Sequence, residues 1–365
     1  MKKLFLTLAM AIGLTTVAAS AQDKEIVYTD ASSFPLFGKA IAETSGHYTR
    51  FPASYEEQTR KPLWRLSQNS AGQYIRFRSD ATEIHAKWVN GNYKMPHMTE
   101  VGIGGLDLYT LTKDGWRFIG AGFTWKSDTH HERKIVSNMK PKMREYMLYL
   151  PLYDKIDSLY VGVPEGAVLE APLANSPKRE KPIVMYGTSI LQGGCANRAG
   201  MAHTSIISRK LDRQVINLGF SGNAHLDPEV AQLMARVEDP GVFVLDFVPN
   251  CKADRINEKG EAFFRILRES HPDVPIVFVE NPAFPHAIVD EKTKNDIKEN
   301  NAALKNLYKK MKKEGQKKLY YVTNKGMTGD DGEAFVDGVH LTDLGMLRYA
   351  EHVAPVIRKA LKNQK

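Results

Sequence analysis

The spacing of apolar runs changes at Pro182, and that change restricts the fold more than any other feature of the chain. Beyond it, five runs rich in β-branched and aromatic residues recur at intervals of roughly 30 residues: IVMYG (183–187), VINLG (215–219), VFVLDFV (242–248), PIVFVE (275–280) and LYYVTN (319–324). Helical patterns lie between them. Asp227-Pro228-Glu229 reads as a helix start, with a capping carboxylate, a proline at the first helical position and an acid in the first turn. Lys292 to Lys313 forms a long amphipathic pattern, and Thr342 can cap a last helix from about Asp343 to Leu361. Continuous apolar strands alternating with helices predict a doubly wound α/β domain, its parallel sheet covered on both faces.

The chain ahead of this has a period of two. YIRFRSD (74–80), TEIHAKWVN (82–90), GLDLYTL (105–111), WRFIGAGF (116–123), EYMLYLP (145–151) and DSLYVGVP (157–164) are short strand-like runs separated by Gly, Asn, Asp or Pro. No long helical pattern interrupts them. Residues 22–170 therefore read as an all-β sandwich. Residues 171–182, with three prolines and a charge cluster, read as a linker to the α/β domain at 183–365.

The first 21 residues have the form of a cleavable export signal. Lys2 and Lys3 precede an apolar run to about Ala18, and Ala19-Ser20-Ala21 fits the A-x-A cleavage pattern, so the mature chain is expected to start at Gln22. The run is too short for a membrane anchor, and no later stretch approaches the ~20 apolar residues a spanning helix needs. The expectation is a soluble protein in a periplasm or outside the cell, with no membrane insertion. Removing the two leader lysines leaves 48 basic against 42 acidic side chains, a modest excess. Much of it lies in runs such as Lys309, Lys310, Lys312 and Lys313, which suit a solvated helix face better than a nucleic-acid patch.

Metal chemistry finds little support. There is no CxxC pair and no HExxH, and adjacent His130 and His131 would point to opposite faces of a strand. Cys195 and Cys251 are the two cysteines, enough for one disulfide in an oxidising compartment, with two free, packed thiols as the alternative.

In a doubly wound sheet the ligand site lies beyond the carboxyl ends of the strands. The first strand ends in Gly187-Thr188-Ser189, the second in Gly219-Phe220-Ser221-Gly222-Asn223, and the third runs into Pro249-Asn250-Cys251. Asp337-Gly338-Val339-His340 precedes the last helix. Taken singly, each also fits an ordinary turn or helix cap. Taken together, they place a hydroxyl, backbone and carboxamide donors, an imidazole and a carboxylate at one sheet edge, the groups an acyl-transfer site needs.

These four blocks resemble those of the SGNH, or GDSL-type, esterases, with Thr188 where that motif has aspartate and Leu341 where proline is common. The likeness covers about residues 182–362. Gly105-Leu106-Asp107-Leu108-Tyr109 looks like the GxDLY motif of β-sandwich domains that precede such esterases. The resemblance implies a flavodoxin-like sheet, Ser189 as nucleophile, His340 as base and Asp337 as its partner. It implies an oxyanion hole from the backbone N–H groups of Ser189 and Gly222 and the side chain of Asn250, and no metal or organic cofactor. If the strand order is flavodoxin-like, the loops carrying Cys195 and Cys251 are neighbours that a disulfide could brace. The substrates implied are small-molecule or polysaccharide esters, with a short acyl group on a carbohydrate favoured. Lipid or aryl esters, acyl transfer to an alcohol, and non-catalytic glycan binding stay open. Trp64, Trp88, Trp116 and Trp125 could stack on sugars, though tryptophan in a sandwich is more often core.

Overall fold

In the computed structural model, residues 24–124 and 128–363 are described; the stretch read as an export signal and Trp125 fall outside them. The N-terminal half contains β1 (Ile26–Asp30), β2 (Leu36–Phe37), α1 (Tyr55–Gln58), α2 (Lys61–Ser67), β3 (Tyr74–Ser79), β4 (Ile84–Asn90) and α3 (Glu100–Gly104). It continues through β5 (Leu106–Thr112), β6 (Gly115–Gly122), β7 (His130–Val136), β8 (Arg144–Tyr149), β9 (Ile156–Pro164) and β10 (Leu169–Glu170). These strands form two antiparallel sheets, ordered β1-β9-β4-β7 and β10-β3-β8-β5-β6, with β2 paired to β3.

The core between the two sheets explains the alternation in the sequence. Ile75 and Phe77 of β3, Leu106 and Leu108 of β5, and Tyr146 and Leu148 of β8 point inward against Trp88, Leu159 and Val161. Their neighbours Tyr74, Tyr109, Met147 and Tyr149 point the other way and are buried as well, in a second layer shared with the C-terminal half. The second sheet is thus covered on both faces, which is why EYMLYLP is nearly continuous in apolar residues. Trp88 and Trp116 are buried, and Trp64 packs against a core cluster of the other half.

The C-terminal half contains β11 (Lys178–Gly187), α4 (Ser189–Gln192), α5 (His203–Leu211), β12 (Arg213–Gly219), α6 (Pro228–Ala235), β13 (Val242–Asp246) and α7 (Ala253–Ser270). It ends with β14 (Ile276–Val279), α8 (Glu291–Lys313), β15 (Leu319–Val322) and α9 (Asp343–Lys362). All five strands are parallel, in the order β12-β11-β13-β14-β15. This is the flavodoxin-like order, with its switch point beside β11. Side chains alternate between layers: Ile183 and Met185 face α5 and α9, while Val184 and Tyr186 face α6 and α7. Thr342 caps α9 through the Gly345 N–H, as expected.

Three expectations change. The stretch 178–182, read as linker, already belongs to β11. The sandwich half is not purely β: α1, α2 and the loops around them carry Phe51, Tyr55 and Leu63 into the core on the α6–α7 side of the parallel sheet. Asp227 stands at the N-cap of α6 but does not cap it with its side chain. Its carboxylate instead takes Arg60 at 2.8 and 2.9 Å, because a bidentate guanidinium is a stronger partner than one amide.

Candidate active site

Ser189 opens α4 directly after β11, behind Thr188, whose hydroxyl accepts the Ile190 N–H. Next to it, Gly219 at the end of β12 must be glycine: a Cβ there would lie 2.2 Å from the backbone nitrogen of Gln192. That close approach lets the second strand end against the helix carrying Ser189. Gln192 then reaches across, its Oε1 accepting the Ser221 N–H at 2.9 Å. The same loop contains Gly222 at φ +66°, a left-handed conformation that glycine adopts without strain. Beyond it, the Ala224 N–H donates to Asn250 Oδ1 at 3.3 Å. The Asn250 carboxamide thus has its oxygen engaged by the loop. The loop is therefore tied to the Ser189 helix at one end and to Asn250 at the other. Arg60 holds it from outside, donating to Asn223 Oδ1 at 2.8 Å.

His340 lies 151 positions from Ser189 in sequence, and its Nε2 is 2.8 Å from Ser189 Oγ. Its Nδ1 is 2.7 Å from Asp337 Oδ2. With the ring proton on Nδ1, donated to the carboxylate, the Nε2 lone pair faces the hydroxyl. Asp337 Oδ1 also accepts the N–H groups of His340 and Val339, at 2.7 and 3.0 Å. Burial opposes the charge on Asp337, but these amides and the imidazole outweigh it and hold the carboxyl down at about 2. The hydroxyl, imidazole and carboxylate thus form an unbroken chain of hydrogen bonds at the carboxyl edge of the sheet.

The two cysteines are not joined. The Cys195 thiol donates to the His97 carbonyl at 3.2 Å, and the Cys251 thiol to the Ala224 carbonyl at 3.0 Å. Cys251 belongs to the apolar layer containing Tyr186, whereas Ala196, next to Cys195, belongs to the layer across the sheet. Burial pushes both thiols up to about 12. Each thiol is committed to a different backbone carbonyl, and the neighbouring loops do not bring the two sulfurs together.

Several residues at the site carried no recognisable signal. The Tyr153 hydroxyl donates to the Ser189 carbonyl at 3.3 Å, and the His97 ring lies 5.4 Å from that of His340. Both come from the N-terminal half, with no motif around them. Asp107 did have one. It is fully buried, and its Oδ2 accepts Arg198 Nη1 and the Gly200 N–H, each at 2.8 Å. Arg198 also donates to the Tyr109 hydroxyl at 2.6 Å. The Asp and Tyr of the GxDLY run thus fasten the sandwich to the segment that follows the Ser189 helix.

Residues 180–358 match the GDSL-like lipase/acylhydrolase family, and residues 26–169 match the N-terminal domain of SGNH-hydrolase-type esterases. A crystal structure of a GDSL-like lipase from Bacteroides ovatus is 34% identical, with a TM-score of 0.88, over 93% of this chain and 98% of that one. The chain belongs to the GDSL-like lipase/acylhydrolase family. It is an SGNH-type ester hydrolase with a GxDLY domain in front. The fold is shared more distantly with a salicylyl-acyltransferase from a tetracycline biosynthetic pathway, 17% identical with a TM-score of 0.74 over 93% of this chain and 98% of that one. It is also shared with an acetyl xylan esterase from the rumen bacterium Butyrivibrio proteoclasticus, 12% identical with a TM-score of 0.57 over 93% and 99%. No curated protein matches the chain.

Proposed function

We propose that this SGNH-type hydrolase is an exported serine esterase that removes short acyl groups, acetyl foremost, from carbohydrates through an acyl-enzyme. The observation that carries the reading is the continuous Ser189–His340–Asp337 hydrogen-bond chain, next to a loop and a carboxamide that offer N–H donors.

In the cycle, His340 Nε2 takes the Ser189 proton as Oγ attacks the ester carbonyl. Asp337 steadies the imidazolium and its orientation. The charge on the tetrahedral oxygen falls to the N–H groups of Ser189 and Gly222 and to the Asn250 NH₂. His340 then protonates the departing alcohol. Water, deprotonated by the same imidazole, releases the acid and restores Ser189. No cofactor takes part in these steps.

Ser189 is only 7% exposed, which favours a small acyl group over a long chain. A sugar alcohol as leaving group is supported by the fold shared with an acetyl xylan esterase. Export is supported by the leader sequence, with Gln22 as the first mature residue. Among the described residues, no helix is long and apolar enough to cross a membrane.

The test is acetate release from a panel of O-acetylated glycans by the mature protein, with Ser189→Ala as the control. Release by the wild type alone supports the reading. Release by both proteins would remove Ser189 from the mechanism. Turnover of long-chain or aryl esters alone would replace the carbohydrate assignment. Sequencing the N-terminus of the secreted or periplasmic form checks the cleavage site.

A further inference from the structure

Two side chains beside His340 have no task in hydrolysis. His97, in the loop between β4 and α3, sets its ring 5.4 Å from that of His340, tilted by 36°. Cys195, just beyond α4, is buried and donates to the His97 carbonyl at 3.2 Å. One ligand atom from each of His97, Cys195, Asp337 and His340 lies within 4.8 Å of the other three. Two imidazoles, a thiol and a carboxylate from three distant stretches of chain therefore converge on one point. In a tetrahedral zinc site, with bonds of about 2.0–2.3 Å, ligand atoms sit about 3.3–3.8 Å apart. Closing this cluster onto an ion takes shifts of about 1 Å, within reach of side-chain rotation. The mixed nitrogen, sulfur and oxygen set suits a borderline ion, and not calcium or magnesium, which favour oxygen alone.

We propose that His97, Cys195, Asp337 and His340 form an inhibitory site for a borderline divalent metal, Zn²⁺ in the first instance, which binds the resting enzyme and switches it off. The inhibition rests on the hydrolytic reading above; the metal site itself does not. On binding, the Cys195 thiol gives its proton to solvent and the thiolate coordinates, with no change of oxidation state. His340 cannot serve as ligand and base together. If Nε2 coordinates, the lone pair facing Ser189 is consumed. If Nδ1 coordinates, its proton moves to Nε2 through solvent, the bond to Asp337 breaks, and Nε2–H faces the hydroxyl as a donor. In both cases Ser189 loses its proton acceptor. The switch needs both halves of the chain, because His97 comes from the sandwich half.

The experiment titrates wild type, His97→Gln and Cys195→Ser with ZnCl₂ while following p-nitrophenyl acetate hydrolysis, and records absorption spectra of all three with Co²⁺. Zinc inhibits the wild type, a chelator restores it, and magnesium and calcium have no effect. Both variants keep the metal-free rate and need about tenfold more zinc or beyond for the same inhibition. Cobalt gives a thiolate-to-metal charge-transfer band with the wild type that is absent from Cys195→Ser. The spectrum needs no turnover, so a cobalt band in a protein that hydrolyses nothing leaves the metal site standing while the esterase reading falls. Equal inhibition of all three proteins, no inhibition of the wild type, or no charge-transfer band overturns the proposal.

Discussion

Asp107 Oδ2 and Arg198 Nη1 meet at 2.8 Å across the junction between the sandwich and the α/β half. The carboxylate is fully buried and shared with the Gly200 N–H, so the neighbourhood of Ser189 is braced by a residue of the other half. Asp107→Ala leaves a guanidinium that is only 21% exposed with the Tyr109 hydroxyl but no carboxylate beside it. We expect a loss of about 3 kcal/mol, read from denaturant unfolding. A variant as stable as wild type would mean that the junction holds without this pair.

The hydroxyl and imidazole act as a unit in the proposed cycle. Ser189→Ala and His340→Ala should each lower kcat by roughly 10⁴-fold or more, and the double variant hardly further. Single-turnover kinetics with an activated acetate ester measures this, and circular dichroism confirms retention of fold. Additive losses would argue against a shared step.

The pH profile follows from which group gains a proton first. Asp337 is held at about 2, below its ordinary value of 3.8, so its charge and its share of stability persist above about pH 4 and fade only as pH drops through 2. Any loss of kcat/KM on acidification above about pH 4 therefore does not come from protonating Asp337. Asp337→Asn should cost roughly 10⁴-fold at neutral pH by disturbing the tautomer. Steady-state kcat/KM of the variant checks this, and a wild-type rate would remove the carboxylate from the mechanism.

Asn250→Ala removes the donor proposed for the developing oxyanion and should lower kcat by roughly 10²–10³, with little change in KM. Steady-state kinetics on a soluble acetate ester decides it. A change confined to KM would place the carboxamide in ground-state binding instead.

Beneath the site, buried Asp246 has the Tyr349 hydroxyl 2.8 Å from both carboxylate oxygens and His203 Nε2 at 3.9 Å. Burial raises its carboxyl to about 8, against only partial relief from Tyr349. The folded protein therefore binds a proton that the unfolded chain releases above about pH 4, and stability from this group declines as pH rises from about 4 to 8. Asp246→Asn stays neutral throughout. Its melting temperature relative to wild type should rise between pH 6 and pH 9, as calorimetry can show. An unchanged difference would mean that Asp246 is ionised in the fold.

Legibility in the sequence tracked how local each signal was. Six strands of the sandwich half and all five of the parallel sheet announced themselves, because alternating or continuous apolar runs are the direct image of one or two buried faces. Strand β7, HHERKIV, was missed because its side chains are largely polar or exposed, and α1 and α2 because each is too short to show a period. Asp227 looked like a cap because Asp-Pro-Glu is a capping pattern, but no local rule announces Arg60 waiting 167 positions away.

By itself, the sequence determined the strand-helix alternation of the second half, the run of strands in the first, and the short list of groups able to perform acyl transfer; the flavodoxin-like strand order was implied only by the resemblance. Periodicity and turn chemistry are properties of neighbouring residues. Tertiary structure alone decided that His340 reaches Ser189, that the two thiols stay unjoined, that Asp107 is a fastening, and that His97 and Cys195 stand beside His340. Those facts depend on contacts between segments far apart in sequence, which the local pattern of residues does not encode.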